Sequence, residues 1–413
     1  MSRESLAKNC LLLFLAINLP FWFIPAHVPL VAQRVVGLAL LGIAAVAGRK
    51  ISLHPTVILL WSFFFLLNLS KFFLGSLTLQ YTLWFTGLPV VIALALLFAM
   101  NRDAIAEIFG SLCWLVIVAS IPAVVVWFAL IAGIDLPYSM ISLSGRPDYY
   151  RSYAGLAIVI DYAVFDFGGT TITRLCGMFE EPGLLGSILG VFLAIDVVFC
   201  PGKHAVRKIL LVSFGILTFS LAFFVMLMLI AIHFVVASEA RIGRTILVIL
   251  LAAGVLSTST VASQAAQLFF LGRLEFNSDR GIYGNNRAVY GERFASEYLA
   301  RAQLSRVLLG NGPSSNSENQ EGQFNSYLGI VYENGVLASV LLLSFLVYFA
   351  AVPQVYWRSP LAFLVLMGPF LSLYQRPDFQ GTAYLLLFAM LFVHRHAAPS
   401  AAPRSLSFEP AIA

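Results

Sequence analysis

Apolar stretches of about 20 residues follow one another along most of this 413-residue chain and leave it very few architectures. A stretch of that length crosses the hydrocarbon of a bilayer as an α-helix, and inside lipid every backbone N–H and C=O must find its partner within the fold. Hydrophobic residues make up 60% of the chain and charged residues 11%, more apolar surface than a water-soluble core of this size could bury. The sequence therefore predicts an all-α integral membrane protein with about twelve transmembrane helices, near 10–25, 29–48, 55–70, 82–100, 107–132, 182–200, 207–219, 221–237, 245–262, 327–351, 360–375 and 381–394. The stretch 207–237 is overlong for one helix and is divided near Thr218–Ser220, where small hydroxyl side chains interrupt the hydrocarbon. The first apolar run comes after Arg3 and Lys8 without a small-residue cleavage site, so it reads as a retained helix rather than a signal peptide.

Short-loop charges set the orientation. Arg49 and Lys50, Arg102, Lys203 with Arg207 and Lys208, Arg241 and Arg244, Arg358, and Arg395 with Arg404 all fall on the side of the amino terminus, which the positive-inside rule makes cytoplasmic. Residues 1–398 then form one polytopic membrane domain with both termini inside, and 399–413 is a disordered cytoplasmic tail rich in Ala and Pro. Two long loops, 134–181 and 263–326, face outward and are expected to contain short interfacial helices. In the second, Asn285 or Asn286 would cap a helix stopped by Gly310 and Gly312, with Arg287, Phe294 and Arg301 near one face.

These inner-face charges account for much of the formal net charge of +5, so no nucleic-acid partner is expected. Cys10, Cys113, Cys176 and Cys200 lie far apart with no CxxC pair, which argues against a disulfide framework or a metal site. Asp196, His233 and Arg34 fall near helix ends and are expected to snorkel, leaving no ionisable group at the midplane where a proton-coupled carrier would keep one. Walker, HExxH and nucleophile-elbow patterns are missing from the sequence, which disfavours an ATPase or a membrane protease.

The two outer loops hold nine arginines and no lysine. A guanidinium pairs bidentately with phosphate oxygens and keeps its charge in a poorly hydrated site, so this bias points to a phosphate or pyrophosphate handled at the outer face. Arg174, Arg280 and Arg287 are the leading candidates, with Arg273 and Arg301 behind them; the plainer alternative is pairing with acids in the same loops and with lipid headgroups. Glu180 and Glu181, before Pro182, are candidate general bases on a sugar hydroxyl, or simply acids at the positive end of a helix. Asn325, Tyr327 and Glu333, at the start of a late helix, could bind sugar hydroxyls.

The residues Arg174, Gly177, Phe179 and Pro182, the Leu-Gly-Asn-Gly run at 309–312, Asn325 with Tyr327 and Leu328, and Glu333 with Gly335 together form a pattern that resembles the O-antigen polymerase and O-antigen ligase superfamily. The resemblance covers about residues 170–340. It implies a metal- and cofactor-independent glycosyltransferase of the bacterial inner membrane that moves a glycan from undecaprenyl pyrophosphate to an acceptor hydroxyl at the periplasmic face. By motif, Arg174, Arg280 and Arg287 would hold the pyrophosphate leaving group and Asn325 would lie where the glycan enters. Ligases of that superfamily carry a histidine where this chain has Phe324, which favours a polymerase of lipid-linked repeat units, working beside a flippase and a chain-length regulator and using a carboxylate as base. A lipid-linked oligosaccharide flippase or exporter is the main alternative, and should instead line a central cavity with polar residues from both halves. A non-enzymatic chain-length regulator should have few spans and a coiled coil.

Overall fold

In the computed structural model the residues described are 2–21, 23–48, 88–143, 146–160, 164–167, 170–201, 203–237, 275–277, 281–283, 294–300, 302–312, 327–350, 362–375 and 381–396. The helices among them are α1 (Arg3–Ile17), α2 (Phe23–His27), α3 (Leu30–Gly48), α4 (Leu88–Phe98), α5 (Arg102–Ile131), α6 (Pro182–Phe199), α7 (Ala205–Leu217), α8 (Leu221–Ala237), α9 (Leu304–Leu309), α10 (Tyr327–Ala350), α11 (Ala362–Gln375) and α12 (Thr382–His396). Three of them, α5, α6 and α10, contain stretches long and apolar enough to cross a membrane, and α3, α4, α8, α11 and α12 contain shorter apolar stretches. The protein is thus an α-helical membrane protein. The expected spans 55–70 and 245–262 lie outside the described residues.

The central helix is α6. Every residue from Leu185 to Val197 is buried, as expected of a helix apolar on all sides. Lipid tails are as apolar as leucine, so what draws helices together in a bilayer is close van der Waals packing, which small residues permit. Gly186 and Gly190, four apart on α6, supply it: a Cβ on Gly186 would stand 2.7 Å from Oγ1 of Thr218, and one on Gly190 would stand 2.8 Å from the sulfur of Met226. Neighbouring helices α7, α8, α11 and α12 all pack on α6.

The division of 207–237 is present. Helix α7 ends at Leu217, α8 begins at Leu221, and Phe219 between them takes the left-handed conformation (φ 46°). The chain reverses there, because Thr218 and Ser220 lie against Gly186 at the start of α6 while Arg207, near the start of α7, pairs with Asp196 near its end. Two expected spans fail: the run 10–25 is divided between α1, which ends at Ile17, and the five-residue α2, and the run 207–219 is too short to cross. Helix α7 has 13 residues, roughly 20 Å, and by itself does not reach across a hydrocarbon layer of about 30 Å.

The first long loop corrects the all-α expectation and that of interfacial helices. It contains strands β1 (Ser139–Leu143), β2 (Arg146–Tyr153) and β3 (Ala157–Ile160) in an antiparallel sheet of that order, then a hairpin of β4 (Val164–Phe167) and β5 (Thr170–Thr173). Aromatic and β-branched residues are frequent here and alternate between two faces, the strand-forming pattern that a hydropathy reading passes over. Ile141, Tyr150, Ile158 and Ile160 pack with Cys176, whereas Tyr153, Ala157 and Val159 join the main helical core. Ala154 and Gly155 make the β2–β3 turn with positive φ. In the second loop, β6 (Glu275–Asn277) pairs with β7 (Gly281–Tyr283), and a π-helical turn (Phe294–Leu299) precedes α9. Of the single helix expected from Asn285 or Asn286 to Gly310, the described part is therefore two short pieces, separated before the α9 N-cap at Gln303; both Asn residues and Arg287 lie outside the described residues.

Candidate functional site

Two junctions gather the motif residues, and backbone hydrogen bonding explains each. At the first, the segment from Arg174 to Glu181 lies across the α7–α8 turn. The last carbonyls of a helix have no partner of their own. Here Leu175 N–H donates to the Leu217 carbonyl (2.9 Å), Arg174 Nε to Thr218 (3.1 Å) and a terminal nitrogen of Arg174 to Phe219 (3.1 Å). The Thr218 hydroxyl donates to the Gly215 carbonyl (2.6 Å) and accepts from Ser220 N–H (3.2 Å). The planar fork of arginine suits two adjacent carbonyls in a way that the point charge of lysine does not. Half-buried Arg174, expected at a pyrophosphate, is thus also the clasp that holds the reversal between α7 and α8.

From there Gly177, with φ 66°, turns the chain and accepts a hydrogen bond from Ile158 N–H (3.0 Å), which ties the sheet to this segment. Phe179 bridges to Phe21 after α1, their rings 5.0 Å apart. Pro182 opens α6 as the sequence predicts, and the Glu181 carbonyl accepts from Leu184 and Leu185 N–H (3.1 and 3.2 Å). The carboxylate of Glu181, at the N-cap position, makes no cap hydrogen bond to the helix, so side-chain capping does not account for it. Glu180 and Glu181 are half-buried at this end of α6. Beside them, Leu184, Ser187 and Ile188 of α6 face Leu19, Pro20, Thr382 and Tyr384 across a small, mostly apolar groove. Burial pushes the Cys176 thiol, below the sheet, up to about 12.

The second junction joins the Leu309–Gly312 run to α10. Helix α10 is broken at Gly335, whose φ of 80° and ψ of 169° belong to a region open in practice only to glycine. The break frees carbonyls of the preceding turn. Asn311 N–H and its side-chain amide donate to the Tyr332 carbonyl (2.9 and 3.1 Å), and Gly312 N–H donates to that of Glu333 (2.9 Å). Gly310 has nearly the same backbone conformation (φ 81°, ψ 175°), and a Cβ on Gly335 would stand 2.6 Å from the Gly310 nitrogen. Two glycines therefore face each other because neither has a side chain. Tyr298 packs against Tyr332 (4.9 Å) and donates to the Arg306 carbonyl (2.8 Å), and burial raises its hydroxyl above the usual phenol range.

The junctions lie at one end of the helix set. Phe345 and Phe349 of α10 pack on Phe388 of α12, and Phe98 of α4 touches both Phe349 and Phe392. His394, two residues beyond Phe392, meets Phe199 at the far end of α6, whereas Thr382 and Tyr384 lie beside the start of α6. Helices α6, α10 and α12 therefore run the same way, and the Glu333–Gly335 break belongs to the end where α6 begins. Tyr327 is the first residue of α10, and Glu333 is half-buried on it. Arg273, Arg280, Arg287, Arg301 and Asn325 lie outside the described residues.

At the opposite end is a pair that the sequence reading missed. Asp196 does not snorkel: it is 0% exposed and holds Arg207, 3% exposed, through two bonds, Nε to Oδ2 at 3.0 Å and Nη2 to Oδ1 at 2.5 Å. The guanidinium also lies over the ring of Phe109, 5.1 Å from its centroid. The signal available was an acid within an apolar run and, across a short connection, an arginine. Among the described residues no group of three or more His, Cys, Asp or Glu side chains could hold a metal ion.

Comparison with protein-family models, with curated proteins and with solved structures finds no match. Class and function accordingly rest on the helices and on the two junctions.

Proposed function

We propose that the chain is a polymerase of undecaprenyl-pyrophosphate-linked oligosaccharide repeat units, acting at the periplasmic face of a bacterial inner membrane with about twelve spans and both termini cytoplasmic. The observation that carries this reading is the gathering of the motif positions: Arg174, Phe179 and Pro182 in one ordered junction, and Leu309–Gly312 with Glu333 and Gly335 in another, at the same end of the helix set. Transfer from a lipid pyrophosphate requires stabilisation of the departing diphosphate and activation of a weak hydroxyl nucleophile. Arginines of the outer loops, Arg280 and Arg287 foremost, serve the first need, with Arg273 and Arg301 close in sequence. Glu180, Glu181 or Glu333 serves the second, and each is half-buried near its junction. The small groove beside the start of α6 offers hydrocarbon contact a turn of helix from Glu180 and Glu181.

The test uses Arg280→Lys and Arg287→Lys in cells that make the polysaccharide. Both variants should insert normally and lose high-molecular-weight product. Near-normal polymer from both overturns the pyrophosphate role. Glu180→Gln, Glu181→Gln and Glu333→Gln are compared in the same assay, and a wild-type product ladder from all three removes these carboxylates as the base.

A further inference from the structure

Helix α5 presents Trp114, Val118, Ile121, Val125 and Phe128 as one exposed stripe, spaced by three and four residues. In a membrane protein such a stripe faces lipid. The 30-residue helix is roughly 45 Å long, but its first turns carry Arg102, Asp103 and Glu107, and only the part from Ile108 to Ile131, about 36 Å and enough to cross the hydrocarbon, is free of charge. The hydrocarbon layer is thus used up where α5 ends, and the residues beyond Ile131 sit at headgroup level. Three of them are apolar and about half-exposed: Ile134, Tyr138 and Met140 run from the end of α5 into β1, the edge strand of the sheet. Ile141, pointing the other way, is packed into the sheet's own core. Arg151, paired with Met140 on the neighbouring strand, places its guanidinium 4.8 Å from the centroid of the Tyr138 ring.

We infer that the 134–140 segment and the β1 edge form a membrane-interface anchor, seated among the lipid headgroups next to the α5 stripe. Its occupant is lipid because Ile134, Tyr138 and Met140, although interrupted at the surface by Asp135 and Ser139, continue the apolar face that α5 turns to the bilayer. An aromatic ring with an arginine over it suits a layer that is apolar below and phosphate-rich above. The inference rests on the membrane assignment and not on the polymerase reading.

The test places a nitroxide at Ile134→Cys and, separately, at Met140→Cys, in a Cys200→Ser background, since the other three cysteines are buried. The full chain is reconstituted in vesicles of phosphatidylethanolamine and phosphatidylglycerol. Both labels should be several-fold less accessible to a water-soluble nickel chelate than free nitroxide, remain open to oxygen, and report a depth within roughly 5–10 Å of the headgroup boundary. A label at Val125→Cys should lie deeper. Nickel accessibility equal to that of free nitroxide at both sites overturns the inference, as does shielding from both reagents. Dipolar broadening that disappears on dilution with unlabelled protein assigns the edge to a second copy and also overturns it.

Discussion

Replacing Asp196 by Leu removes the only carboxylate hydrogen-bonded to Arg207 among the described residues and leaves a guanidinium, 3% exposed, that cannot give up its proton. Breaking a buried ion pair from one side costs about 3–5 kcal/mol, because the surviving charge has lost both water and partner. The face of Phe109, 5.1 Å away, retains about 2 kcal/mol of cation–π attraction in a site this dry, so the lower half of that range is expected. A loss of about 3 kcal/mol corresponds to roughly a hundredfold change in the unfolding equilibrium. Arg207→Met should be at least as damaging, since it strips Asp196 of both donors. The double variant Asp196→Leu with Arg207→Met should recover most of the loss, because a buried pair can be replaced by apolar groups of similar volume at little cost. The assay is equilibrium unfolding in mixed micelles, run as a double-mutant cycle. Single variants within about 1 kcal/mol of the parent, or a double variant as unstable as the sum of the two, would refute the reasoning.

The loop junctions give two further expected outcomes. Gly335→Ala should destabilise the α9–α10 contact by more than the roughly 1–3 kcal/mol that its backbone conformation alone implies, because the added Cβ meets the Gly310 nitrogen; limited proteolysis should then cut near 310–312 while the parent resists. Native protein should be alkylated by a maleimide at half-buried Cys200 well before Cys176, whose buried thiol stays protonated; since its value is raised from 9.0 to about 12, the stability it contributes is intact below pH 9 and declines as pH rises toward 12, and preferential labelling of Cys176 near neutrality contradicts its placement under the sheet.

Much of the membrane core was legible because one physical requirement governs it. A helix in lipid must be apolar for about 20 residues, and that requirement is written directly into α5, α6 and α10. The reversal at Thr218–Ser220 and the start of α6 at Pro182 were legible too, since hydroxyls and proline act on their immediate neighbours. The β-sheet of the first loop was not, because hydropathy weighs Ile158 and Ile160 as apolar content and ignores their period of two.

Sequence alone determined that this chain is an α-helical membrane protein, because transfer free energy depends on composition over a short window. Tertiary structure decided everything that depends on which segments meet. It made Arg174 the clasp of a helix reversal, set Asp196 and Arg207 against each other, and brought Gly310 face to face with Gly335. Those partners lie 11 to 45 positions apart, and an unsatisfied carbonyl or a buried charge finds its partner through the fold and not through its neighbours in the chain.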